Sequence, residues 1–490
     1  MLEKSTHSEK QTTQLAMDIA LALKPGDLVL LGGDLGAGKT ALARGIIQAL
    51  AEDSTLEVPS PTYTLSHQYD TQPPINHFDL YRLSGMDELD ALGWEDTLEN
   101  GCVLMEWPER CFEILPERAV SVMVEIGSGD SRTFSFSGNA QLLDRLERSF
   151  LIREFLDNAG QKNASRTFLL GDASTRSYEM VNGGAMLLMN APRMPDGPAI
   201  RDGKPYSQIA HLAEDVSAFV AVDQLLLDLG VRAPNIHESA IEDGLLLTEY
   251  LGGKGILDDQ DKPDPDRYMA SIELLAHLHN QTIPETVEYL PGKIHQMPHY
   301  DDEAKRIEID LLQDWYIRHE AGQLVDRARF YEVWQSLFDR VNKAPQTLVL
   351  RDYHSPNILW LEQETGIMRV GVIDFQDAVI GPQSYDVASL SQDARVDVPE
   401  QLELKLVDHY IGCRLRQDTS FDQQAFREEY AIMAAQRATK ILGIFVRLDV
   451  RDGKPQYRRH LPRIRQYLKR SLRHPVLSEY REWLETVIEL

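Results

Sequence analysis

Apolar and polar positions along the first 140 residues follow a pattern that predicts an α/β unit. Leu15, Ile19, Ala22 and Leu23 are spaced as one face of a helix. Short apolar runs after it predict strands at residues 27–31, 75–80, 101–106 and 120–126, and the last of these, with the segment 132–137, closes the unit. A further helix is predicted at 41–50, after the glycine-rich loop that follows the first of these strands. This order favours a largely parallel sheet covered by helices.

The pattern changes after the polar segment Ser137-Gly138-Asn139. An amphipathic helix at 142–158 precedes strands predicted at 167–170, 186–189 and 245–252, and the sequence beyond them becomes helical. Strand, loop and strand followed by a helical part is the order of a bilobal kinase-like fold. We therefore predict two α/β domains, at 1–140 and 145–490. In the second, the small lobe is expected at about 145–252 and the large lobe at about 253–490.

The segment GDLGAGKT, which begins at Gly33, matches the phosphate-loop pattern G-x-x-x-x-G-K-[ST] and lies between a predicted strand and a predicted helix. Gly36 and Gly38 let the backbone curl so that successive N–H groups face phosphate oxygens. Lys39 is placed to bridge the β- and γ-phosphates, and Thr40 to hold Mg²⁺. The segment therefore predicts an ATP and Mg²⁺ site on a P-loop NTPase sheet.

Two acids follow apolar strands of the same unit, Asp79 in HFDLYR and Glu106 in VLMEW. Because the carboxyl ends of parallel strands meet at one edge of a sheet, both acids could reach Mg²⁺ and the γ-phosphate. Either acid, taken alone, is also explained as a helix cap or a surface charge. Thr62 in SPTYT is placed to sense the γ-phosphate. Glu106 is the candidate catalytic residue of this site.

In this order, GDLGAGKT, VPSPTYTL, HFDLYRL and LMEWPER resemble the small ATPase subunit of the bacterial machinery that makes threonylcarbamoyladenosine on tRNA (TsaE-like). The resemblance covers about the first 140 residues. It implies Mg-ATP hydrolysis and binding to the carbamoyl-transferase protein pair of that pathway. By the same resemblance, Lys39 and Thr40 bind nucleotide and metal, and Thr62 is a switch residue. Asp79 and Glu106 become metal-linked acids.

A second phosphoryl-transfer signature is formed by LRDYHSPN and IDFQD. Asp352 and Asn357 have the D-x-x-x-x-N spacing, in which the acid accepts a proton from the substrate hydroxyl and the amide holds Mg²⁺. Asp374 follows a strand predicted at 370–373, where kinase-like folds hold their principal metal-binding carboxylate. We interpret Asp386 in SYDVASL as a structural acid that braces the loop.

The loop GDASTRSY is predicted to cover the ATP phosphates, although a plain hairpin turn explains it equally well. LLLTEYLG is the predicted hinge, whose backbone meets the adenine. The residues predicted to contact ATP in these two segments are Gly171, Asp172, Ser174, Glu249 and Leu251. No lysine of the Val-Ala-Ile-Lys type is visible around residues 187–190. The charge that clamps the phosphates then has to come from Arg176 or from the large lobe.

Together, GDASTRSY, LVLRDYHSPNILW and GVIDFQDAVIGPQSYDVASL resemble kinases of the aminoglycoside-phosphotransferase type. With AAQRATKILGIFVRLDVRDGKPQYRRHLPR, they more narrowly resemble the anomeric kinases of N-acetylmuramate and N-acetylglucosamine used in cell-wall recycling (AmgK-like). The resemblance spans about residues 145–490. It implies transfer of the ATP γ-phosphate to the C1 hydroxyl of the sugar, with Asp352 as base. Asn190 departs from the pattern, because an acid is typical there.

Three basic residues, Arg437, Lys440 and Arg447, fall on one face of a predicted helix. They are candidates for binding the lactyl carboxylate of a muramic acid or the phosphates of ATP. A solvated or ion-paired face of an acidic protein is the alternative interpretation.

Composition narrows the choice of partners. Lys and Arg number 50 against 77 Asp and Glu, a net charge of −27, which argues against strong direct binding to nucleic acid or to an anionic membrane. The three cysteines, Cys102, Cys111 and Cys413, lack metal-ligand spacing and are expected to be reduced thiols. A signal peptide and an apolar run of membrane-spanning length are both missing from the pattern, so we expect a cytoplasmic protein.

Two other functions stay open at this point. The second domain could phosphorylate another small alcohol, such as an aminoglycoside or choline. The chain could also be a regulatory scaffold in which nucleotide binding only controls the assembly of partners.

Overall fold

The computed structural model describes residues 2–83, 86–110, 118–169, 176–193, 197–321 and 327–488. Its internal contacts divide the chain into two units. The first comprises residues 1–172 and 178–183, and the second comprises 173–177 and 184–490. The helix at 140–158 and the strands that follow it thus belong to the first unit. The boundary near residues 140–145 stays a prediction.

The first unit is built on a seven-stranded sheet within the described residues. Its strands are β1 (Leu2–Thr6), β2 (Leu28–Gly32), β3 (Ser66–Tyr69), β4 (Ile75–Asp79), β5 (Cys102–Glu106), β6 (Val120–Ile126) and β7 (Arg132–Gly138). They lie in the order β1-β7-β6-β2-β5-β4-β3. The central strands β6, β2, β5 and β4 are parallel, and the outer pairs are antiparallel. The predicted α/β sheet is confirmed.

Helices cover both faces of this sheet. They are α1 (Glu9–Ala20), α2 (Lys39–Leu50), α3 (Met86–Ala91), α4 (Trp94–Leu98) and α5 (Ala140–Asn158). Since side chains alternate along a strand, Val29 and Leu31 pack into the core formed with α1, α2 and α5. Leu28 and Leu30 pack on the other face, with Trp94 of α4. Burial on both faces explains why the central strands read as continuous apolar runs.

Two short strands complete the first unit, β8 (Arg166–Leu169) and β9 (Ser177–Val181), which pair antiparallel.

The second unit has short strands and many helices. Its strands are β10 (Met186–Asn190), β11 (Ala199–Arg201), β12 (Lys204–Pro205), β13 (Ile236–Ala240), β14 (Leu245–Glu249), β15 (Thr286–Leu290), β16 (Lys293–Gln296), β17 (Gln346–Val349), β18 (Ile358–Trp360), β19 (Val370–Val372) and β20 (Val379–Pro382). β14 pairs antiparallel with β10 and β13. The pairs β17–β20 and β18–β19 hold the loops that carry the second signature.

Helices form most of the rest of this unit. They are α6 (Tyr206–Ile209), α7 (Val216–Asp228), α8 (Pro265–Leu278), α9 (Asp302–Leu311), α10 (Arg327–Val341), α11 (Ser384–Ser391), α12 (Glu400–Gln417), α13 (Gln423–Val450), α14 (Leu461–Ser471) and α15 (Ser478–Glu485). A π-helical segment, Leu312–Ala321, continues α9. The 28-residue helix α13 is the longest of these, and it packs against α9, α11 and α14. In the part of the chain that the structure describes, none of the helices combines the length and apolar character needed to cross a membrane.

Candidate active sites

The phosphate loop of the first unit depends on glycine for its shape. Gly36 and Gly38 have φ angles of 79° and 110°, which side chains with a Cβ rarely adopt. At Gly33, a Cβ would come within 2.4 Å of the carbonyl oxygen of Val124. The loop leads directly into the N-terminus of α2, where unpaired N–H groups attract anions. The backbone therefore has the form of an anion-binding loop.

Lys39, the first residue of α2, turns back over this loop. Its Nζ donates to the carbonyl oxygens of Gly33 at 2.7 Å and Asp34 at 2.9 Å. The same nitrogen lies 3.7 Å from the centroid of the Trp107 ring. Burial lowers the pKa of Lys39, and the charge of Glu106 opposes that shift. A phosphate in the loop would be a stronger partner for this ammonium group than two neutral carbonyls.

Glu106 lies next to the loop at the carboxyl end of β5. Its Oε2 accepts a hydrogen bond from Thr40 Oγ1 at 3.0 Å, and its Oε1 lies 2.9 Å from His77 Nε2. His77 is fully buried and fixes the orientation of the carboxylate. No sequence motif predicted a role for His77. Its position two residues before Asp79 on one strand, and hence on the same face, was the available signal.

Asp79 ends β4 directly beside Glu106, because these two residues are partners in the parallel register. Its Oδ2 accepts hydrogen bonds from Thr62 Oγ1 at 2.6 Å and Ser60 Oγ at 2.7 Å. Thr62 is thereby brought to the same edge of the sheet as the two acids. Ser60 is a further member of this group, and the sequence predicted no role for it.

These side chains line one cavity of about 360 Å³. Its lining residues are Leu35, Gly36, Gly38, Lys39, Thr40, Ala41, Ser60, Thr62, Asp79, Tyr81, Glu106 and Trp107. The hydroxyl of Thr40 and the two carboxylates supply oxygen ligands, the type that Mg²⁺ prefers. Since phosphate oxygens commonly complete a Mg²⁺ shell, this donor set fits a metal bound together with a nucleotide.

In the second unit, the segment that carries Asp352 is held by buried acids. Asp386, in α11, accepts hydrogen bonds from the backbone N–H of Leu350 at 2.6 Å and of Arg351 at 3.0 Å. Asp393 accepts one from the N–H of Ser355 at 2.7 Å. The prediction that Asp386 braces the loop is confirmed. Asp393 performs the same task farther along and was not foreseen.

Asp352 is half-buried and surrounded by positive charge. Burial raises its pKa, but the charges of His354, Lys440 and Arg437 outweigh burial, and the net shift is downward. A carboxylate with a lowered pKa is ionised at neutral pH, so Asp352 can accept a proton or a hydrogen bond from a hydroxyl group.

Asn357 and Asp374 lie together, as their positions on either side of the β18–β19 hairpin require. Asn357 Nδ2 donates to Asp374 Oδ2 at 3.4 Å and to the carbonyl oxygen of Asp352 at 3.0 Å. Burial raises the pKa of Asp374, and the neighbouring charge of Asp352 raises it further. A cation at this point would offset the repulsion between the two acids, so the residues fit a divalent metal.

Arg176 reaches the same place, because its Nη1 donates to Asp374 Oδ1 at 3.0 Å. This position agrees with the suggestion that Arg176 supplies the charge that the strand around residues 187–190 lacks.

The predicted nucleotide contacts are only partly within the described residues. Gly171, Asp172 and Ser174 lie outside them, as does Cys111. Glu249 ends β14, where its carboxylate pairs with Arg232 and accepts from Asn235 Nδ2 at 2.7 Å. Its N–H donates to the carbonyl oxygen of Asn235 at 2.8 Å. Leu251 follows two residues later. Because the Glu249 carboxylate is already paired, the adenine contact stays a prediction about the backbone of this segment.

Comparison with protein families gives two matches. Residues 6–134 match the model of the threonylcarbamoyl adenosine biosynthesis protein TsaE. Residues 165–429 match that of the phosphotransferase enzyme family. The two matches cover the two sites described above, one in each unit.

Several relatives resemble the chain over nearly their full length. An N-acetylmuramate/N-acetylglucosamine kinase of Caulobacter vibrioides is 32% identical over 360 residues, which cover 70% of this chain and 97% of the relative. One of Pseudomonas putida is 33% identical over 338 residues, covering 67% and 90%. A tRNA threonylcarbamoyladenosine biosynthesis protein TsaE of Rickettsia felis is 37% identical over 164 residues, covering 33% of this chain and 95% of the relative.

Proposed function

We infer the activities of this chain from its membership of two families, since its N-terminal part belongs to the TsaE family and its C-terminal part to the phosphotransferase enzyme family. The chain is a bifunctional enzyme in which a P-loop ATPase is fused to a kinase. The ATPase supports threonylcarbamoyladenosine modification of tRNA. The kinase phosphorylates the anomeric C1 hydroxyl of N-acetylmuramate and N-acetylglucosamine during peptidoglycan recycling. A cytoplasmic location is part of this proposal, because both reactions consume ATP.

The observation that carries the kinase assignment is the proximity of Asp352, Asn357 and Asp374 in the second unit. Asp352 accepts the proton of the sugar hydroxyl as the hydroxyl oxygen attacks the γ-phosphorus. A bond forms from that oxygen to phosphorus, the bond to the bridging oxygen breaks, and ADP leaves. Asn357 and Asp374 would hold Mg²⁺, which supplies charge neutralisation on the phosphates when it is bound.

In the first unit, the glycine loop and Lys39 would bind the β- and γ-phosphates of ATP. Thr40, Asp79 and Glu106 would hold Mg²⁺, and Thr62 would respond to the γ-phosphate through its bond to Asp79. Glu106, oriented by His77, is the candidate for positioning the attacking water. We propose that this unit acts together with the carbamoyl-transferase protein pair of the tRNA pathway, and that the chain itself does not bind nucleic acid strongly.

The kinase is tested by incubating the purified chain with ATP, Mg²⁺ and each sugar, and by identifying the product with ³¹P NMR. We expect a sugar 1-phosphate that disappears in Asp352→Asn. Lys39→Ala is the matched control, because it alters the other phosphate site and leaves the sugar kinase intact. Product from choline or an aminoglycoside, but from neither amino sugar, would replace the proposed substrate.

The ATPase is tested by measuring ATP hydrolysis in the absence of sugar, with and without the carbamoyl-transferase pair. We expect the pair to stimulate hydrolysis in the parent protein and in Asp352→Asn, but not in Lys39→Ala. Nucleotide binding without turnover under both sets of conditions would instead indicate a regulatory scaffold.

A further inference from the structure

Helix α13 carries three cations on one face, and two of them are occupied by partners within the protein. Arg437 is buried, and its Nη1 donates to the carbonyl oxygen of Arg351 at 3.0 Å. Its guanidinium also lies 4.8 Å from the centroid of the Tyr385 ring. Arg437 therefore supports the backbone of the segment that carries Asp352.

Lys440, the next cation along this face, is also paired within the protein. Its Nζ donates to Glu308 Oε1 at 2.6 Å, and the same carboxylate oxygen accepts from Arg351 Nη2 at 2.6 Å. Lys440 and Arg351 thus share one buried carboxylate. Neither Arg437 nor Lys440 fits the expectation of a carboxylate receptor, because both already hold internal acceptors.

Arg447 differs from these two residues. It lies seven positions after Lys440 on the same face, about 10 Å farther along the helix. Within the described part of the chain, it forms no ion pair with a carboxylate, and its buried Nε has no hydrogen-bond partner. The nearby Asp452 is already paired with Arg451 at 2.7 Å and 3.0 Å.

The surroundings of Arg447 connect it to the catalytic segment. Its guanidinium lies 5.0 Å from the centroid of the ring of Tyr206, the first residue of α6. At the end of α6, the carbonyl oxygen of Ala210 accepts a hydrogen bond from Arg351 Nη1 at 2.7 Å. Arg351 directly precedes Asp352. Helix α6 therefore contacts Arg447 at its first residue and, at its end, the residue that precedes the proposed base.

The charge and the planar donor geometry of the Arg447 guanidinium favour a carboxylate as its ligand. Burial lowers the pKa of Arg447, and a hydrogen bond with the Tyr206 side chain and the charge of nearby Asp452 oppose that shift. An arginine keeps its charge in proteins, so an anion bound directly to this partly buried guanidinium would stabilise it further. Its planar set of N–H donors matches a carboxylate in a bidentate arrangement, which a neutral hydroxyl group cannot provide.

We propose that Arg447 binds the carboxylate of an acidic sugar substrate, with Tyr206 holding the guanidinium plane in place. This inference rests on the proposed kinase function and assigns its acid-specific contact. N-acetylmuramate carries a lactyl carboxylate that N-acetylglucosamine lacks. Arg447 is accordingly a specificity residue for the first sugar and indifferent to the second.

The test compares kcat/KM for both sugars in the full-length protein. Arg447→Gln is expected to lower kcat/KM for N-acetylmuramate by about 10- to 100-fold, the range of a hydrogen-bonded charged contact. The value for N-acetylglucosamine should stay within about twofold, since uncharged contacts are retained. Arg447→Lys, which keeps the charge without the planar fork, should fall between the parent protein and Arg447→Gln.

Arg451→Gln is the matched control, because Arg451 lies one turn away and is exposed and paired with Asp452. This substitution should leave kcat/KM unchanged for both sugars. Equal losses for the two sugars in Arg447→Gln, or an unchanged value for N-acetylmuramate, would overturn the assignment while leaving the kinase function in place. A parent protein that phosphorylates neither sugar would overturn both proposals.

Discussion

At the scale of single residues, Glu308 controls the charge balance beneath the catalytic segment. Its carboxylate is completely buried and receives hydrogen bonds from Arg351 and Lys440 on one oxygen. The other oxygen accepts from Tyr300 at 2.5 Å and from Gln436 at 2.9 Å. One acid therefore neutralises two cations whose positions determine the shape of the site.

We expect Glu308→Gln to lower the free energy of unfolding by about 3–5 kcal/mol, because two buried cations lose their shared carboxylate. Urea denaturation measures this change. Glu362→Gln serves as the control, since Glu362 forms an exposed ion pair with Lys254 and should matter by less than about 1 kcal/mol. Equal effects of the two substitutions would show that Glu308 is dispensable.

The same carboxylate predicts a pH dependence. Burial raises the pKa of Glu308, but the charges of Lys440 and Arg351 outweigh burial and bring it from 4.5 to about 2. The pKa is lower in the folded protein, so the stabilisation is complete above about pH 4.5 and declines as the pH falls toward 2. The stability difference between the parent protein and Glu308→Gln should shrink over that interval. A difference that stays constant down to pH 2 would contradict this account.

At the scale of elements, the crossing of α13 and α9 depends on one glycine. A Cβ at Gly443 would lie 2.1 Å from the carbonyl oxygen of Leu311, so no other residue fits without moving backbone. This crossing positions Glu308, on α9, against Lys440, on α13. The helix that carries the cations is thereby held against the helix that carries their acid.

Gly443→Ala is expected to destabilise the protein by about 1–3 kcal/mol, because the added methyl group overpacks the crossing. Gly412→Ala is the matched control within a helix. The nearest atom to a Cβ there is the end of the Arg416 side chain at 3.6 Å, so replacement should stabilise by about 0.5–1 kcal/mol. Thermal unfolding of both variants checks the prediction, and a stabilising Gly443→Ala would refute it.

The elements also show what the sequence could predict. β2 and α2 were placed to within about two residues, because a strong local motif joins them. The edge strands β1 and β3 were missed, since their short polar sequences acquire strand structure only by pairing with β7 and β4. The rule that parallel strands end at the same edge of a sheet predicted that Asp79 and Glu106 lie side by side. The ion pair between Lys440 and Glu308 could not be predicted, because the two residues are 132 positions apart in the sequence.

At the scale of the whole molecule, the segments matched by the two families meet in a buried ion network of the first unit. Asp18, in the TsaE-like segment, accepts hydrogen bonds from Arg153 Nη2 and from Arg166 Nη1, both at 2.9 Å. Arg166 also donates to Glu179 at 2.7 Å, and both lie within the phosphotransferase match. The side chains of Asp18, Arg166 and Glu179 are at most 3% exposed.

Removing the central cation should destabilise the first unit. We expect Arg166→Met to cost about 3–5 kcal/mol, because it leaves Glu179 buried without its cation and takes one of two from Asp18. Scanning calorimetry should show that the first unit of Arg166→Met unfolds at a lower temperature than that of the parent protein. Arg193→Met, which removes an exposed pair with Glu214, should change stability by less than about 1 kcal/mol. Unchanged melting in Arg166→Met would argue against the network as a stabilising feature.

The position of Arg166 also affects whether the gene of this two-family chain could be split into two separate genes. A break at residues 140–145 would place Asp18 on one chain and both of its arginine partners, Arg153 and Arg166, on the other. Asp18 would then lack the cations that neutralise it. A compensating substitution at Asp18 would have to precede or accompany the split. The ion network therefore favours retention of the fusion. Where the two halves are encoded separately, we expect a neutral residue at the position of Asp18, or an acid there paired with a cation of the same chain.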